Sequence, residues 1–172
     1  IKGLQKHAED LPEEIFSRRE KEEQEKWEAI MKMDGTENAY LLHKELGEWM
    51  TDNMTVVRVN SKLEETYAKL TELQERWENI NINDTQKWSN QGAHFTRQLK
   101  NMLYLAKVMT KGALMRDESR GAHYKPDFPE RDDERFLKTT MAKFDPATGE
   151  PIITYAEVDV SLIPPRKRDY SA

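Results

Sequence analysis

"WSNQGAHFTRQLKNMLYLAKVMTKGALMRDE", Trp88 to Glu118, is the stretch whose reading decides the fold. Its apolar residues Phe95, Leu99, Met102, Leu103, Ala106, Met109 and Ala113 recur every three or four positions. That period lays side chains on one face of an α-helix. The run predicts a long fourth helix over about residues 88–118, whose stripe needs partners to bury it.

The partners lie upstream. "TENAYLLHKELGEWMTDN" puts Ala39, Leu42, His43, Leu46, Trp49 and Met50 on one stripe, with Thr36 as the expected cap after the Asp34–Gly35 break. "SKLE", Ser61 to Glu64, has capping-box spacing, and the helix behind it aligns Leu63, Tyr67, Leu70, Gln74, Trp77 and Ile80. "EEIFSRREKEEQEKWEAIMKM" follows Pro12, a residue suited to a first helical turn. Its charged middle, with Glu14–Arg18 and Glu22–Lys26 four apart, reads as a solvated face. Long helices joined by short turns predict a mainly α fold, a spectrin-repeat-like antiparallel helical bundle over residues 1–120. Trp49, Trp77, Leu99 and Met102 are expected to be buried together.

The character changes in residues 121–172. "FLKTTMAKF" and "IITYAEVDVSLI" flank the turn cluster "DPATGEP" and predict a small C-terminal β-hairpin. A lone hairpin is marginal in water, so it should pack on the bundle or on a partner. The ending "PPRKRDYSA" reads as an extended basic tail.

Composition narrows the function. The 172 residues are 34% charged with a mean hydropathy of -0.92, yet four Trp and regular apolar spacing oppose disorder. A net charge of -5 disfavours nucleic acid as a partner. Cysteine is absent, which removes disulfides, thiolate nucleophiles and iron–sulfur ligation from this chain. No apolar run approaches the roughly 20 residues of a membrane span, so no direct span is expected. The chain begins at Ile1 and reads as a piece of a longer protein.

Catalytic motifs do not emerge. His7, His43, His94 and His123 are scattered without metal-ligand spacing. The seven glycines form no dinucleotide fingerprint and no P-loop, and the nucleophile-elbow pattern is missing as well. The eight Met fall mostly on helix stripes and read as core filler.

One segment asks for more. In "RDESRGAHYKPDFPERDDERF", Gly121 is expected to be the left-handed residue that ends the long helix. Asp117 and Glu118 would then lie in its last turn, where the helix dipole disfavours acids and calls for a cation such as Arg116 or Arg120. Tyr124, Phe128 and Phe136 stand among prolines that keep the chain extended, and exposed rings of that kind point to docking. The expected docking face comprises Glu118, Ser119, Arg120, Gly121, His123, Tyr124 and Phe128. Arg120, as its main polar anchor, should be exposed in this chain alone, so that truncation costs about 0.5 kcal/mol or less.

The stretches "DGTENAYLLHKELGEWM", "KWSNQGAHFTRQLKNML", "ESRGAHYKPDFPERDDERFLKTTMAKF" and "PPRKRDY" resemble the C-terminal part of the succinate dehydrogenase/fumarate reductase flavoprotein subunit, in its Gram-positive succinate dehydrogenase form. The resemblance covers nearly the whole chain. L-Aspartate oxidase shares an "ESRG.H" run, but the "FLKTT" strand, the second hairpin strand and the "PPRKRDY" ending follow the dehydrogenase pattern. The resemblance implies a parent that oxidises succinate to fumarate and passes electrons through an iron–sulfur subunit to quinone. It further implies FAD in the parent, held with the catalytic residues upstream of Ile1, and no cofactor or catalytic residue within this fragment, which should be inactive alone. The fragment would buttress the flavin-binding domain of the same chain, and its trailing segment would lie near the iron–sulfur subunit. Arg166, Arg168 and Tyr170 are the expected subunit contacts. A cytoplasmic location follows, with the parent peripheral on the cytoplasmic face of the plasma membrane. The competing class is a free-standing helical interaction module.

Overall fold

The computed structural model describes residues 12–145 and 147–166. Helix α1 spans Glu13–Met31, α2 Ala39–Asn53, α3 Asn60–Trp77 and α4 Gln91–Leu114. A single turn, α5 (Asp133–Phe136), leads into the strands β1 (Lys138–Phe144) and β2 (Pro151–Glu157).

Helices α2, α3 and α4 form the bundle, and contacts along their lengths fix the directions. Glu37 and Glu45 of the α2 side meet Arg76 and Lys69 of α3 in reverse order. Trp77 meets the start of α4 and Asn60 the residues beyond its end. Each neighbouring pair is therefore antiparallel. The stripes supply the core: Leu42 and Leu46 from α2, Leu70, Leu73 and Trp77 from α3, and Leu99, Leu103 and Ala106 from α4. A smaller cluster of Met54, Leu63 and Ala113 closes the other end. Burying a leucine or valine side chain contributes about 1.5–3 kcal/mol, so these stripes dominate stability. The Trp77 indole N–H donates to the Thr96 carbonyl at 2.8 Å, which satisfies its polar edge inside the core.

Four local expectations are corrected. Trp49 is only half-buried and Met102 packs half-buried against the core that holds Trp77 and Leu99. Trp88 precedes α4 and is 89% exposed, because Asn90 caps the helix by accepting from the Ala93 N–H at 2.9 Å. Asn38, not Thr36, caps α2 through the Tyr40 N–H, whereas Thr36 accepts from the Asn79 side chain. Ser61 lies inside α3, which starts after an extended Val59 with no side-chain cap.

The connections are tied as firmly as the helices. Gly35 N–H donates to the Ile80 carbonyl, Glu37 N–H to Asn79, and Ile82 N–H to Met33. The backbones approach so closely that a Cβ on Gly35 would stand 2.0 Å from the Asn79 carbonyl oxygen. Helix α1 is different: it packs through Trp27, Ile30 and Met31 near its end, while residues 12–20 are exposed.

The hairpin packs on the bundle. Lys138 pairs with Glu157 and Phe144 with Pro151 at the ends of the register. Phe144 meets Tyr104 edge-on at 5.3 Å, and the Tyr155 hydroxyl donates to the Met115 carbonyl. At its turn, the Glu150 carboxylate receives the fully buried Lys107 ammonium at 2.5 Å and the Tyr67 hydroxyl. Burial raises the Glu150 pKa, but the bonds from Lys107 and Tyr67 outweigh it and hold the carboxyl below its ordinary value. Burial first, and then the same carboxylate, push the Tyr67 phenol well up. Lys111 adds a bond to the Pro151 carbonyl at 2.8 Å.

Candidate docking site at the end of the long helix

Helix α4 ends at Leu114, four residues before the expected Glu118. Gly121 does carry a positive φ of 59°, but it does not terminate the helix. It sits in a tight turn where the Arg120 and His123 backbones exchange two hydrogen bonds, of 2.8 and 3.1 Å. What ends α4 is Lys125. Its fully buried ammonium donates to the Leu114 carbonyl at 3.1 Å and to Asp117 at 2.9 Å, satisfying an orphan carbonyl of the last turn. Burial opposes the Asp117 charge, yet the bonds from Lys125 and Asn60 hold its pKa below the usual carboxylate range.

The centre of the segment is Glu118, with no solvent exposure at all. One carboxylate oxygen accepts from Arg116 at 3.1 Å and from the Arg120 Nε at 2.9 Å. The other accepts from the Arg120 Nη2 and from the Asp132 backbone N–H, both at 2.9 Å. Arg120 also reaches Asp133 at 2.7 Å, and Arg131 meets the other Asp133 oxygen at 2.7 Å. Arg116 donates onward to the carbonyls of Phe136 and Lys138, so one guanidinium joins the helix end to the entry of the hairpin. Ser119 donates to the Phe128 carbonyl at 2.8 Å and accepts from the Lys125 N–H.

Sequence reasoning grouped Glu118, Ser119, Arg120, Gly121, His123, Tyr124 and Phe128, and the fold does bring them into one compact loop. The expectation that Arg120 stands exposed is overturned: its side chain keeps only 28% exposure, bound bidentately to Glu118. Arg120→Ala should therefore cost this chain about 2–3 kcal/mol, the scale of hydrogen bonds to a charged partner. Urea unfolding checks it; a loss of 0.5 kcal/mol or less would restore the exposed anchor. Of the three rings, Phe136 is buried against Arg116 and Tyr155, Phe128 is half-buried, and Tyr124 is 41% exposed.

His123 is held as a neutral tautomer. Its Nε2 lies 2.9 Å from the Arg116 carbonyl and must donate, so Nδ1 accepts from Arg58 at 2.7 Å. Burial, with the neighbouring Arg58, Lys125 and Arg116 charges, outweighs the carbonyl bond and lowers its pKa. Sequence reasoning missed Arg58 and Lys125. A single Arg inside the β-branched "TVVRV" was the available signal for the first; nothing local marks the second. Arg166 is exposed, its carbonyl accepting from Arg131, while Arg168 and Tyr170 lie outside the described residues.

The bonds to Glu118 hold the loop in one shape. Among the described residues no cluster of His, Asp and Glu could hold a metal ion, and no helix is long and apolar enough to cross a membrane. The described residues form no dinucleotide-binding fold of the kind that holds FAD. The sheet they form is a two-stranded antiparallel hairpin, without the parallel strand–helix crossover that aims a helix N-terminus at a pyrophosphate.

A family model described as fumarate reductase flavoprotein C-term matches residues 43–170. The succinate dehydrogenase flavoprotein subunit of Bacillus subtilis is 63% identical over 171 residues, 99% of this chain and 29% of that protein. The fumarate reductase flavoprotein subunit of Escherichia coli is 37% identical over 143 residues, 82% of this chain and 24% of that protein. Among solved structures, an E. coli quinol fumarate reductase superposes with a TM-score of 0.86 at 32% identity, covering 91% of this chain and 27% of that one. Mycobacterium smegmatis Sdh1 gives a TM-score of 0.70 at 27% identity, covering 85% and 25%. The chain thus spans less than a third of the length of these relatives.

Proposed function

The chain belongs to the fumarate reductase flavoprotein C-terminal family, and we propose that it serves as the C-terminal helical domain of a succinate dehydrogenase flavoprotein subunit. The observation that carries this reading is the 63% identity to the B. subtilis subunit over 171 residues. The fumarate reductase subunits of E. coli and Helicobacter pylori match at 37–38% over four-fifths of the chain. That gap favours succinate oxidation over fumarate reduction as the parent activity.

In this reading the whole subunit oxidises succinate to fumarate, and electrons leave through an iron–sulfur subunit to quinone. FAD, which supplies the electron acceptor when bound, is held by the rest of the subunit. The chain's own residues buttress it. The bundle of α2, α3 and α4 is the rigid body, and the loop Glu118–Phe128 is the face toward the flavin-binding domain. Glu118, Ser119 and Arg120 shape that loop from within, while Gly121, His123, Tyr124 and Phe128 present it. The trailing segment, residues 121–172, runs toward the iron–sulfur subunit with Arg166, Arg168 and Tyr170 as contacts. The assembled subunit lies at the cytoplasmic face of the plasma membrane through its complex.

The test compares the full-length subunit with residues 1–172. The full-length protein should carry stoichiometric flavin, read by its visible absorbance after desalting, and oxidise succinate with an artificial acceptor. The shorter chain should be colourless and inactive under the same conditions, since hydride removal needs both a flavin and a positioned base. Flavin retained by residues 1–172 would overturn the buttress role. A full-length protein without flavin would overturn the subunit reading itself.

A further inference from the structure

Arg58 is the only half-buried guanidinium among the described residues that meets no carboxylate. Arg76, Arg116, Arg120 and Arg131 are each ion-paired. Arg58 instead donates to the Thr55 carbonyl at 2.9 Å, the Met54 carbonyl at 3.3 Å and His123 Nδ1 at 2.7 Å. A guanidinium has five N–H donors, so one on each terminal nitrogen is left over. His123 cannot neutralise it, being itself uncharged in that bond. Burial alone lowers the Arg58 pKa, with no anion to oppose it.

The surroundings make a site of this cation. Arg58 lines, with His123 and the ion-paired Arg116, a groove of about 310 Å³ between α4 and the hairpin, whose apolar walls include Met109, Ala113, Ala142 and Ile153. The Arg58 N–H donates to the Tyr124 carbonyl and the Tyr124 N–H to Val56, so the two segments run side by side. Val56, Val57 and Tyr124 on these segments are between 41% and 53% exposed, as is Met109 in the groove wall at 52%. A largely apolar trough lined by a guanidinium that meets no carboxylate is complementary to a chain segment that carries one carboxylate beside apolar side chains.

We propose that this groove docks an Asp- or Glu-bearing apolar segment of the flavin-binding domain, with Arg58 as the polar anchor between the two domains. The proposal rests on the subunit reading above and changes where its anchor lies. Arg120 is committed to Glu118 and Asp133 within the chain, whereas Arg58 has donors to give. The relatives matched here are more than three times as long as this chain, so a subunit of their length supplies chain to fill the groove.

The experiment uses the full-length subunit with benzoylphenylalanine at position 124 in place of Tyr124. Photolysis and mass mapping should give a crosslink to a flavin-domain peptide that contains Asp or Glu. Arg58→Gln should lower that yield on the order of tenfold, the loss of one charge-assisted pair, and Arg58→Lys should restore part of it. Crosslinks confined to residues 12–166, or reaching a second copy or the iron–sulfur subunit, would overturn the proposal. So would an Arg58→Gln yield equal to the parent's, because a guanidinium that merely caps α2 would not move it. In each of those cases a flavin-loaded, succinate-oxidising subunit leaves the subunit reading standing; absence of flavin overturns both.

Discussion

Leu99→Asp should leave this chain without a cooperative unfolding transition at 25 °C. Leu99 has no exposure and sits in the first half of α4, within the core that Leu42, Leu70, Leu73 and Trp77 complete. Removing a buried leucine costs about 2–5 kcal/mol through lost transfer energy and the cavity left behind. The aspartate adds the cost of bringing a carboxylate among apolar core side chains, several kcal/mol more. Domains of this size hold roughly 5–15 kcal/mol in total, so the sum removes most or all of it. Far-ultraviolet circular dichroism during a thermal ramp reads the outcome. A midpoint equal to the parent's would mean that the α4 stripe does not face the core.

Glu118→Ala should cost about 3–5 kcal/mol, because it removes one side of a fully buried ion pair and leaves the cations in place. Arg116 and Arg120 would face each other across the space the carboxylate filled, and the Asp132 N–H would lose its acceptor. Arg120 retains Asp133, and Arg116 retains two carbonyls, which keeps the loss below that of a naked buried charge. Glu118→Gln keeps an acceptor but not the charge, and should recover only part of the difference. A midpoint drop on the order of 10 °C is expected for the alanine variant. A variant within about 1 °C of the parent, roughly 0.5 kcal/mol or less, would show that the loop holds its shape without this residue.

The helices and the hairpin were legible in the sequence because periodicity is a local property. Leu99 and its neighbours at three and four residues must share a helix face whatever surrounds them, and "KTTMAKF" and "PIITYAE" carry strand patterning on either side of a turn. Other positions were decided only by tertiary structure. α4 stops at Leu114 because Lys125, eleven residues on, folds back under its last carbonyl. Glu118 passes from a supposed helix-end acid to a buried hub because α5 closes over it with the Asp132 N–H. Glu150 finds Lys107 and Tyr67 across 43 and 83 residues. A charge has many neighbours of opposite sign in a sequence like this one. Which of them it meets, and whether water is excluded there, depends on long-range packing that no local spacing encodes. That is why the stripes could be read in advance and the partners of Glu118 and Arg58 could not.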